Sequence, residues 1–422
     1  MKSCIPMHVH SHSAVALALL LAAGPLGAQQ APGLTLQRAR ELARQTSPHI
    51  TAAQSAVEAA AARERQARAF LNPDISYSRE QTSGNGVSTS QNIASFDQRL
   101  EIGGQRGARV AAARLRQEAA RARLAVAIRD LDYEVARAFI AVGTAARRAQ
   151  LAKRGAEQFT EASRIMTQRF EQGDVSGYEV RRVRLEAARY AAVAAQASFT
   201  ARDARLRFNQ LTGLTSDTAL AALQAVAQGI DVESPPDSFV TVALAQNPEL
   251  RAAELEVRAA ESDATSIGRE VVPSPTLSAG FKNEETTTAE RLSGFVAAVS
   301  LPLPLWDRRG GAVDAARAEA RRLEAERATA RRRVQRMLQT TLEAVRAADR
   351  QQAALRAQLG PEAEAALQAA EVAFAEGEIT LLEWLDAVRA YQEAEAAFAD
   401  VLAESYTQRA ALERLLAVPL IQ

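Results

Sequence analysis

An internal duplication constrains the fold of this chain more than any other feature of its sequence. Residues 170–176 place a glycine, an acid, a β-branched aliphatic residue and a hydroxyl residue after a phenylalanine, and residues 374–380 repeat that order. Other paired motifs recur at a similar offset, which indicates a unit of about 200 residues that occurs twice. We therefore predict two structural repeats, at residues 29–233 and 234–422.

Each copy of this turn is predicted to form the tip of a helical hairpin. Glycine readily takes the left-handed conformation that ends a helix, and serine or threonine can cap the helix that follows. Helical sequence leads into each turn and resumes after it. The predicted tips cover residues 171–177 and 375–381.

Two long helical runs lead into these tips, at about residues 107–171 and 310–375. At 1.5 Å per residue, each run would form a rod roughly 95 Å long. Gly155 and Gly360 are positions at which the runs could be interrupted. Because such a rod does not fit inside one compact domain, we expect it to line or build an elongated structure.

A pair of strands precedes each long run. The first pair is predicted at about residues 74–82 and 92–102, and the second at about residues 276–284 and 292–302. Alternating strands of about ten residues are typical of transmembrane β-hairpins, although a soluble surface hairpin has the same pattern. Four strands cannot close a barrel, but three chains would supply twelve. We therefore predict a mainly α fold with a transmembrane β part: a trimeric, twelve-stranded β-barrel that continues into an α-helical barrel.

Residues 1–28 are predicted to be a secretory signal peptide. Lys2 precedes an apolar run that is too short to span a membrane, and small residues follow it. The only cysteine, Cys4, lies before the apolar run, so we expect neither a lipid anchor on it nor a disulfide. Three histidines, at positions 8, 10 and 12, also lie in this leader.

Composition and motifs argue against several classes of function. A formal net charge of +1 argues against a nucleic-acid partner. The residues after the leader contain no nucleophile elbow, phosphate-binding loop or metalloprotease motif, and their only histidine is His49. We therefore expect no enzymatic activity, no cofactor and no resident metal ion.

The order of helix, β-hairpin, long helix, tip and return helix, which occurs twice, resembles the TolC family of outer-membrane efflux channels. The segment Leu-Glu-Ile-Gly-Gly-Gln-Arg-Gly at residues 100–107 looks like the members that serve cobalt-zinc-cadmium type heavy-metal resistance pumps. This resemblance implies a homotrimer in the bacterial outer membrane, in contact with its lipid, with the helical barrel in the periplasm. It also implies two protein partners, a periplasmic adaptor (membrane fusion) protein and an inner-membrane RND-type pump.

The function that this resemblance implies is a passive conduit in a tripartite efflux system that exports heavy-metal cations. Multidrug efflux and type I secretion are alternatives within the channel class. A soluble periplasmic coiled-coil scaffold is an alternative outside it, for which strict heptads and no signal peptide would be expected.

The resemblance also implies roles for residues at the two tips. The residues expected to dock the adaptor are Gly173, Val175, Ser176, Gly377, Ile379 and Thr380. Those expected to form a pore constriction are Glu383 and Asp386, and Glu179 and Arg182 occupy the same position in the first copy, where they would pair with a neighbouring chain and hold the tip closed. Glu383 and Asp386 share a helix face, so threefold symmetry would turn each into a ring of carboxylates. Alternatively, the tip residues only make the turns, and the charged residues form a solvated helix face.

Overall fold

The structure is a computed structural model that describes residues 33–84, 86–215, 218–221, 235–287, 291–358 and 360–421. The predicted signal peptide, with Cys4 and the three leader histidines, lies outside the described residues. Each half of the described chain has the same order of elements: two helices, two strands, a long helical run and a return helix.

The elements of the two halves correspond one to one, except that the second long run is described as two helices. The first half contains α1 (Leu36–Thr46), α2 (Pro48–Arg68), β1 (Asp74–Gly84), β2 (Val87–Arg99), α3 (Gln105–Glu171) and α4 (Gly177–Thr212). The second half contains α5 (Pro236–Gln246), α6 (Pro248–Arg269), β3 (Thr276–Thr286), β4 (Arg291–Ser300), α7 (Gly310–Gln358), α8 (Gly360–Glu376) and α9 (Leu381–Leu416).

A proline divides the first two helices of each half at the same place. Pro48 and Pro248 are the first residues of α2 and α6, and each forces the residue before it out of the helical region. Ser47 and Asn247 are accordingly extended, with ψ values of 120° and 119°. The side chain of Asn247 also caps α6 by accepting hydrogen bonds from the first backbone N–H groups of that helix.

The two hairpins join into one antiparallel sheet in the order β1-β2-β3-β4. The pairing of β2 with β3 connects the repeats, since Phe96 lies opposite Ala279 and Asp97 opposite Ser278. β2 begins and ends a few residues before the range predicted from its alternation, because its pairing with β1 extends to Val87 beside the hairpin turn.

Most of the large apolar side chains of the sheet, including its aromatic ones, lie on its more exposed face. One row across all four strands consists of Tyr77, Ala94, Phe281 and Phe295, and the Phe281 and Phe295 rings make an edge contact at 6.1 Å. Phe295 is 93% exposed. Along β3, exposed and half-buried residues alternate, and the half-buried positions include serine, lysine and glutamate. This pattern of exposure is therefore the reverse of the pattern in a water-soluble sheet, which buries its apolar face.

The polar face of the sheet is crossed by side-chain contacts between strands. The hydroxyls of Ser76 and Ser95 lie 2.6 Å apart, and the carboxylate of Asp97 accepts from both. On the same face, the side-chain amide of Gln91 on β2 donates to the carboxylate of Glu284 on β3 at 3.2 Å. Polar side chains thus satisfy one another on the face that is less exposed.

α3 is a single helix of 67 residues, about 100 Å long. It continues through Gly155, so the interruption considered from the sequence does not occur there. Gly155 is buried against Gln392 of α9, and an added Cβ would collide with the amide nitrogen of that side chain. Glycine at this position therefore leaves room for the end of the Gln392 side chain. In the second run, α7 and α8 lie on either side of residue 359.

α3 contacts different partners along its length. Near its start it forms ion pairs with α6, such as Arg123 with Glu256 at 2.6 Å. Further along it packs on α4, where the rings of Phe139 and Phe208 meet edge to face at 5.8 Å. The return helices α4 and α9 thus pair with the part of α3 that is nearer the tip.

In the part of the chain that the structure describes, three clusters of buried apolar residues hold the helices together. One lies between α1, α3 and α4 around Phe208, and a second lies between α5, α7 and α9 around Leu412. The third lies at the tips and is described below. Among the described residues, no helix combines the length and the apolar character that crossing a bilayer requires.

Candidate functional site

Both tips reverse the chain through a glycine in the left-handed region. The φ angles are 82° at Gly173 and 81° at Gly377. At the first tip the backbone N–H of Asp174 donates to the carbonyl of Arg169 at 2.9 Å, and the equivalent bond at the second tip is 2.8 Å. A Cβ at either glycine would meet nothing within 4 Å. Glycine is therefore required for the backbone angle and not for space.

A reciprocal capping box starts the return helix after each tip. The N–H of Glu179 donates to the Ser176 hydroxyl at 3.3 Å, and the Glu179 carboxylate accepts from the Ser176 N–H at 2.8 Å. Thr380 and Glu383 repeat the arrangement at 3.3 and 2.7 Å. Two of the four candidate constriction residues thus cap their own helices.

These capping bonds favour the charged form of both glutamates. The pKa of Glu179 lies below its ordinary value, first because the backbone N–H of Ser176 donates to the carboxylate and then because the Ser176 hydroxyl does so. The pKa of Glu383 is lowered for the same two reasons by Thr380. Both carboxylates are therefore charged at neutral pH.

An apolar group that we call the tip cluster binds the two hairpins to each other. Trp384 is 5% exposed at its centre, where its ring stacks on Phe374 at 5.2 Å and lies 5.7 Å from Phe159. The buried members of the tip cluster are Phe159, Ala162, Met166, Val180, Val183, Leu367, Phe374, Leu381, Trp384, Leu385 and Val388. Because these residues come from α3, α4, α8 and α9, the two turns are held at one end of the molecule.

The candidate docking residues divide into two groups by exposure. The exposed ones are Gly173, Ser176, Gly377 and Thr380, and the half-buried ones are Val175 and Ile379. Val175 and Ile379 pack against the tip cluster. The two aliphatic residues therefore seat the turns on the helices, and the glycines and hydroxyl residues form the outer surface.

The remaining two candidate constriction residues are less constrained. Asp386 is exposed, and its carboxylate lies 3.7 Å from the guanidinium of Arg389. Arg182 is half-buried and makes no hydrogen bond or ion pair within the described part of the chain. In the same part of the chain, no group of three or more His, Cys, Asp or Glu side chains is placed to hold a metal ion.

A charged contact between the return helices was not predicted from the sequence. Arg389 of α9 donates to the Glu186 carboxylate of α4 at 2.8 Å. Tyr190, which also hydrogen-bonds Arg389, stacks on Phe159 at 4.0 Å, and burial raises the pKa of its hydroxyl. The Glu186–Arg389 pair therefore connects the two repeats beside the tip cluster.

A sequence signal for this pair exists, although it is weak. Glu186 and Arg389 lie at nearly equivalent positions of the two repeats and have opposite charges. Two repeats that pack side by side bring equivalent positions together, so opposite charges there are candidates for an ion pair.

Acidification is expected to loosen the first turns of α4 and α9. A carboxylate whose pKa is lowered by folding stabilises the fold above its unfolded pKa, and this stabilisation is lost as the pH falls through the lowered folded pKa. The N–H of Glu383 should thus lose protection below pH 4.5, the ordinary value for this group, in hydrogen exchange corrected for intrinsic rates.

Two variants separate this effect from general acid unfolding. Glu383→Gln keeps an acceptor oxygen but removes the titration, so its protection should vary less with pH. Glu378→Gln is the matched control, because the Glu378 carboxylate makes no hydrogen bond within the described residues. The same pH dependence in Glu383→Gln as in the unmodified protein would contradict the capping role.

Arg389→Gln is expected to destabilise the contact between the return helices. The change leaves the Glu186 carboxylate, which is 15% exposed, without its main partner, at a cost of about 1–3 kcal/mol. Combining it with Glu186→Gln should recover part of that loss, because no unpaired charge remains. Thermal unfolding in detergent measures the effect, with the exposed Arg350→Gln as control. Equal midpoints for Arg389→Gln and Arg350→Gln would show that the pair contributes nothing.

Comparisons with known proteins agree with this architecture. A cobalt-zinc-cadmium resistance protein, CzcC of Cupriavidus metallidurans, is 27% identical over 93% of this chain and 92% of its own length. A nickel-cobalt-cadmium resistance protein, NccC of Alcaligenes xylosoxydans xylosoxydans, is 27% identical over 75% of this chain and 71% of its own. The solved outer-membrane channel OprN superposes with a TM-score of 0.75 at 21% identity, over 91% of this chain and 90% of that one.

The family comparison covers both repeats. The family model described as outer membrane efflux protein matches residues 39–214 and 240–418, and each match spans a β-hairpin, a long helical run and a return helix. The resemblance noted from the sequence is thereby confirmed, as are the fold class and the outer-membrane location that it implied. The chain belongs to the outer membrane efflux protein family.

Proposed function

We propose that the chain is the homotrimeric outer-membrane channel of a tripartite system that exports heavy-metal cations. The sheet is the observation that supports a channel: it has an exposed apolar face, and each of its outer strands lacks a partner on one side among the described residues. The observation that favours metal cargo is the likeness to two metal resistance proteins that together cover both repeats.

Closure of the sheet requires other copies of the chain. All eleven residues of β1 are exposed, and nine of the ten residues of β4 are exposed as well. Each of these strands pairs on one side only within the described residues. An open edge is not tolerated in lipid, so β4 of one copy would pair with β1 of the next. Three copies give a closed barrel of twelve strands, within the range of bacterial outer-membrane barrels.

The helices would then extend the barrel as a tube through the periplasm. α3 alone is long enough to carry the tips about 100 Å from the sheet. At that distance, the exposed Gly173, Ser176, Gly377 and Thr380 would meet a periplasmic adaptor protein, which joins the tube to an inner-membrane RND-type pump. Val175 and Ile379 would hold the turns in the shape that the adaptor recognises.

The constriction would depend mainly on Asp386. The Glu383 carboxylate is engaged by Thr380, whereas the Asp386 carboxylate is exposed and only loosely paired. Under threefold symmetry, Asp386 would form a ring of three carboxylates that attracts cations. Glu179 and Arg182 would lie at the corresponding place on the other return helix, where Arg182 is available to a neighbouring copy.

Deletion of the gene tests the cargo. The deletion strain should lose tolerance of zinc, cadmium, cobalt or nickel salts, and the intact gene should restore it. Sensitivity to antibiotics with unchanged metal tolerance would favour multidrug efflux, and a secretion defect alone would favour type I secretion. Unchanged tolerance of every metal would overturn the metal assignment but not the channel.

Neutralising the candidate ring tests the constriction. Glu383→Gln combined with Asp386→Asn keeps the shapes of both side chains and removes two negative charges per chain. In planar bilayers with a salt gradient, the reversal potential should move towards that of a less cation-selective pore. Glu378→Gln, at the same tip, is the control. A reversal potential equal to that of the unmodified channel would place both carboxylates outside the pore.

A further inference from the structure

The return helix α4 carries an apolar stripe that is exposed in the single chain. Residues spaced by seven lie on one line along a helix that winds around a partner helix. At this spacing α4 has five exposed residues, which are Tyr178, Leu185, Ala192, Phe199 and Leu206. Leu185 is 71%, Phe199 59% and Leu206 67% exposed. A long apolar stripe on an exposed helix indicates that a partner is absent.

The other return helix, α9, shows what kind of partner fits this stripe. α9 is the counterpart of α4 in the second repeat, and the C-caps of the two helices, Ala417 and Gly213, both have positive φ angles, of 60° and 72°. Counted back from these C-caps, Ala410 of α9 takes the place of Leu206 of α4. Ala410 is 2% exposed, because it packs in the cluster that contains Ala136 of α3. The stripe of α9 thus faces a long helix.

The long helix α7 is the counterpart of α3, and its equivalent side is uncovered. Val334 of α7 is buried as Leu131 of α3 is, and this match aligns the two helices. On that alignment Gln339 takes the place of Ala136. Gln339 is exposed, whereas Ala136 is buried. The side of α3 that receives α9 is therefore matched by an open side of α7.

Arg332 is a second sign that this side of α7 lacks a partner. Its counterpart on α3 is Arg129, whose guanidinium donates to the Ala417 carbonyl at the end of α9 at 3.0 Å. Arg332 is exposed and makes no hydrogen bond or ion pair within the described part of the chain. The group that corresponds to the Ala417 carbonyl is the carbonyl of Gly213, at the end of α4. A cation is favourable at such a helix C-terminus.

The two helical hairpins have opposite charge. The first hairpin, residues 138–212, holds 13 basic and 7 acidic side chains, and the second, residues 341–416, holds 6 basic and 14 acidic ones. Within one chain they already attract each other on one side, for example through the pair of Arg147 with Glu395. In a closed ring each hairpin also has a second side. Opposite charge favours a first hairpin against the second hairpin of another copy and disfavours two like hairpins.

We propose that α4 of each copy packs against α7 of the next, so that the seam between copies repeats the contact between α3 and α9. Leu206 of one copy lies on Gln339 of the next, and Arg332 of that next copy donates to the Gly213 carbonyl. A second copy suits the stripe better than an unrelated helix does, because it supplies the matching side of α7 and the opposite charge together. The seam rests on the proposed homotrimer.

Thiol cross-linking tests the seam, because the only cysteine, Cys4, lies in the predicted signal peptide. Leu206→Cys combined with Gln339→Cys places one thiol on each of the two faces. In phospholipid vesicles, a short bismaleimide should link this variant into covalent trimers that persist on a denaturing gel. Leu206→Cys combined with Met337→Cys is the matched control, since Met337 lines a cavity with Glu249 of α6 on another side of α7.

The size of the linked product decides between the outcomes. Links within single chains, or equal yields of trimer from the control pair, would overturn the seam. A variant that glutaraldehyde fixes as trimers, but that the bismaleimide leaves unlinked, would overturn the seam and leave the homotrimer intact. Protein that glutaraldehyde also leaves monomeric would overturn the homotrimer itself.

A charge reversal tests the seam without cysteines. Arg332→Glu should lower the temperature at which the trimer separates into monomers on a semi-denaturing gel, because a negative charge would face the Gly213 carbonyl. Arg331→Glu is the matched control, since Arg331 is also exposed and makes no hydrogen bond or ion pair within the described residues. Equal shifts in the two variants would remove Arg332 from the seam.

Discussion

Backbone hydrogen bonding at the two outer strands is the constraint on which the rest of this molecule depends. β1 and β4 each have one row of N–H and C=O groups without strand partners in the described chain, and their apolar side chains point outward. Water could hydrogen-bond the free backbone groups, but exposure to water is unfavourable for the apolar side chains. Lipid would surround the apolar side chains favourably, but it cannot hydrogen-bond the backbone groups. The proposed closure with other copies in a bilayer would satisfy both.

The two copies of the helical repeat share their backbone at the tips but differ in the side chains around them. Both halves use the same glycine turn and the same capping box, so the two tips have the same backbone. The side chains around them differ, since the second repeat supplies Trp384 to the tip cluster and Arg389 to the ion pair with Glu186. Duplication therefore provides the shape, and sequence divergence between the copies provides the contacts that join them.

Most of the fold could be predicted because its signals are local. The glycine turns, the strand alternation and the helical spacing each depend on residues close in sequence. The contact made by Gly155 could not be predicted in this way, because the side chain beside it is Gln392, which lies on another helix. A serine or threonine three residues before a glutamate indicates a capping box. Interpreting Glu383 only as a pore residue left out its hydrogen bonds with Thr380. The Glu186–Arg389 pair depends on how the repeats pack, which no single segment encodes.

The complete exposure of β1 has a consequence for the order of folding. The helical clusters form from contacts between neighbouring helices of one chain, whereas β1 gains no buried side chain until another copy arrives. Contacts within one chain form at any protein concentration, whereas contacts between chains depend on it. The helices are thus able to fold before the sheet closes, so that insertion and assembly become a single late step. At low protein concentration, the helices of a single chain would be folded while the outer strands of its sheet remained unpaired.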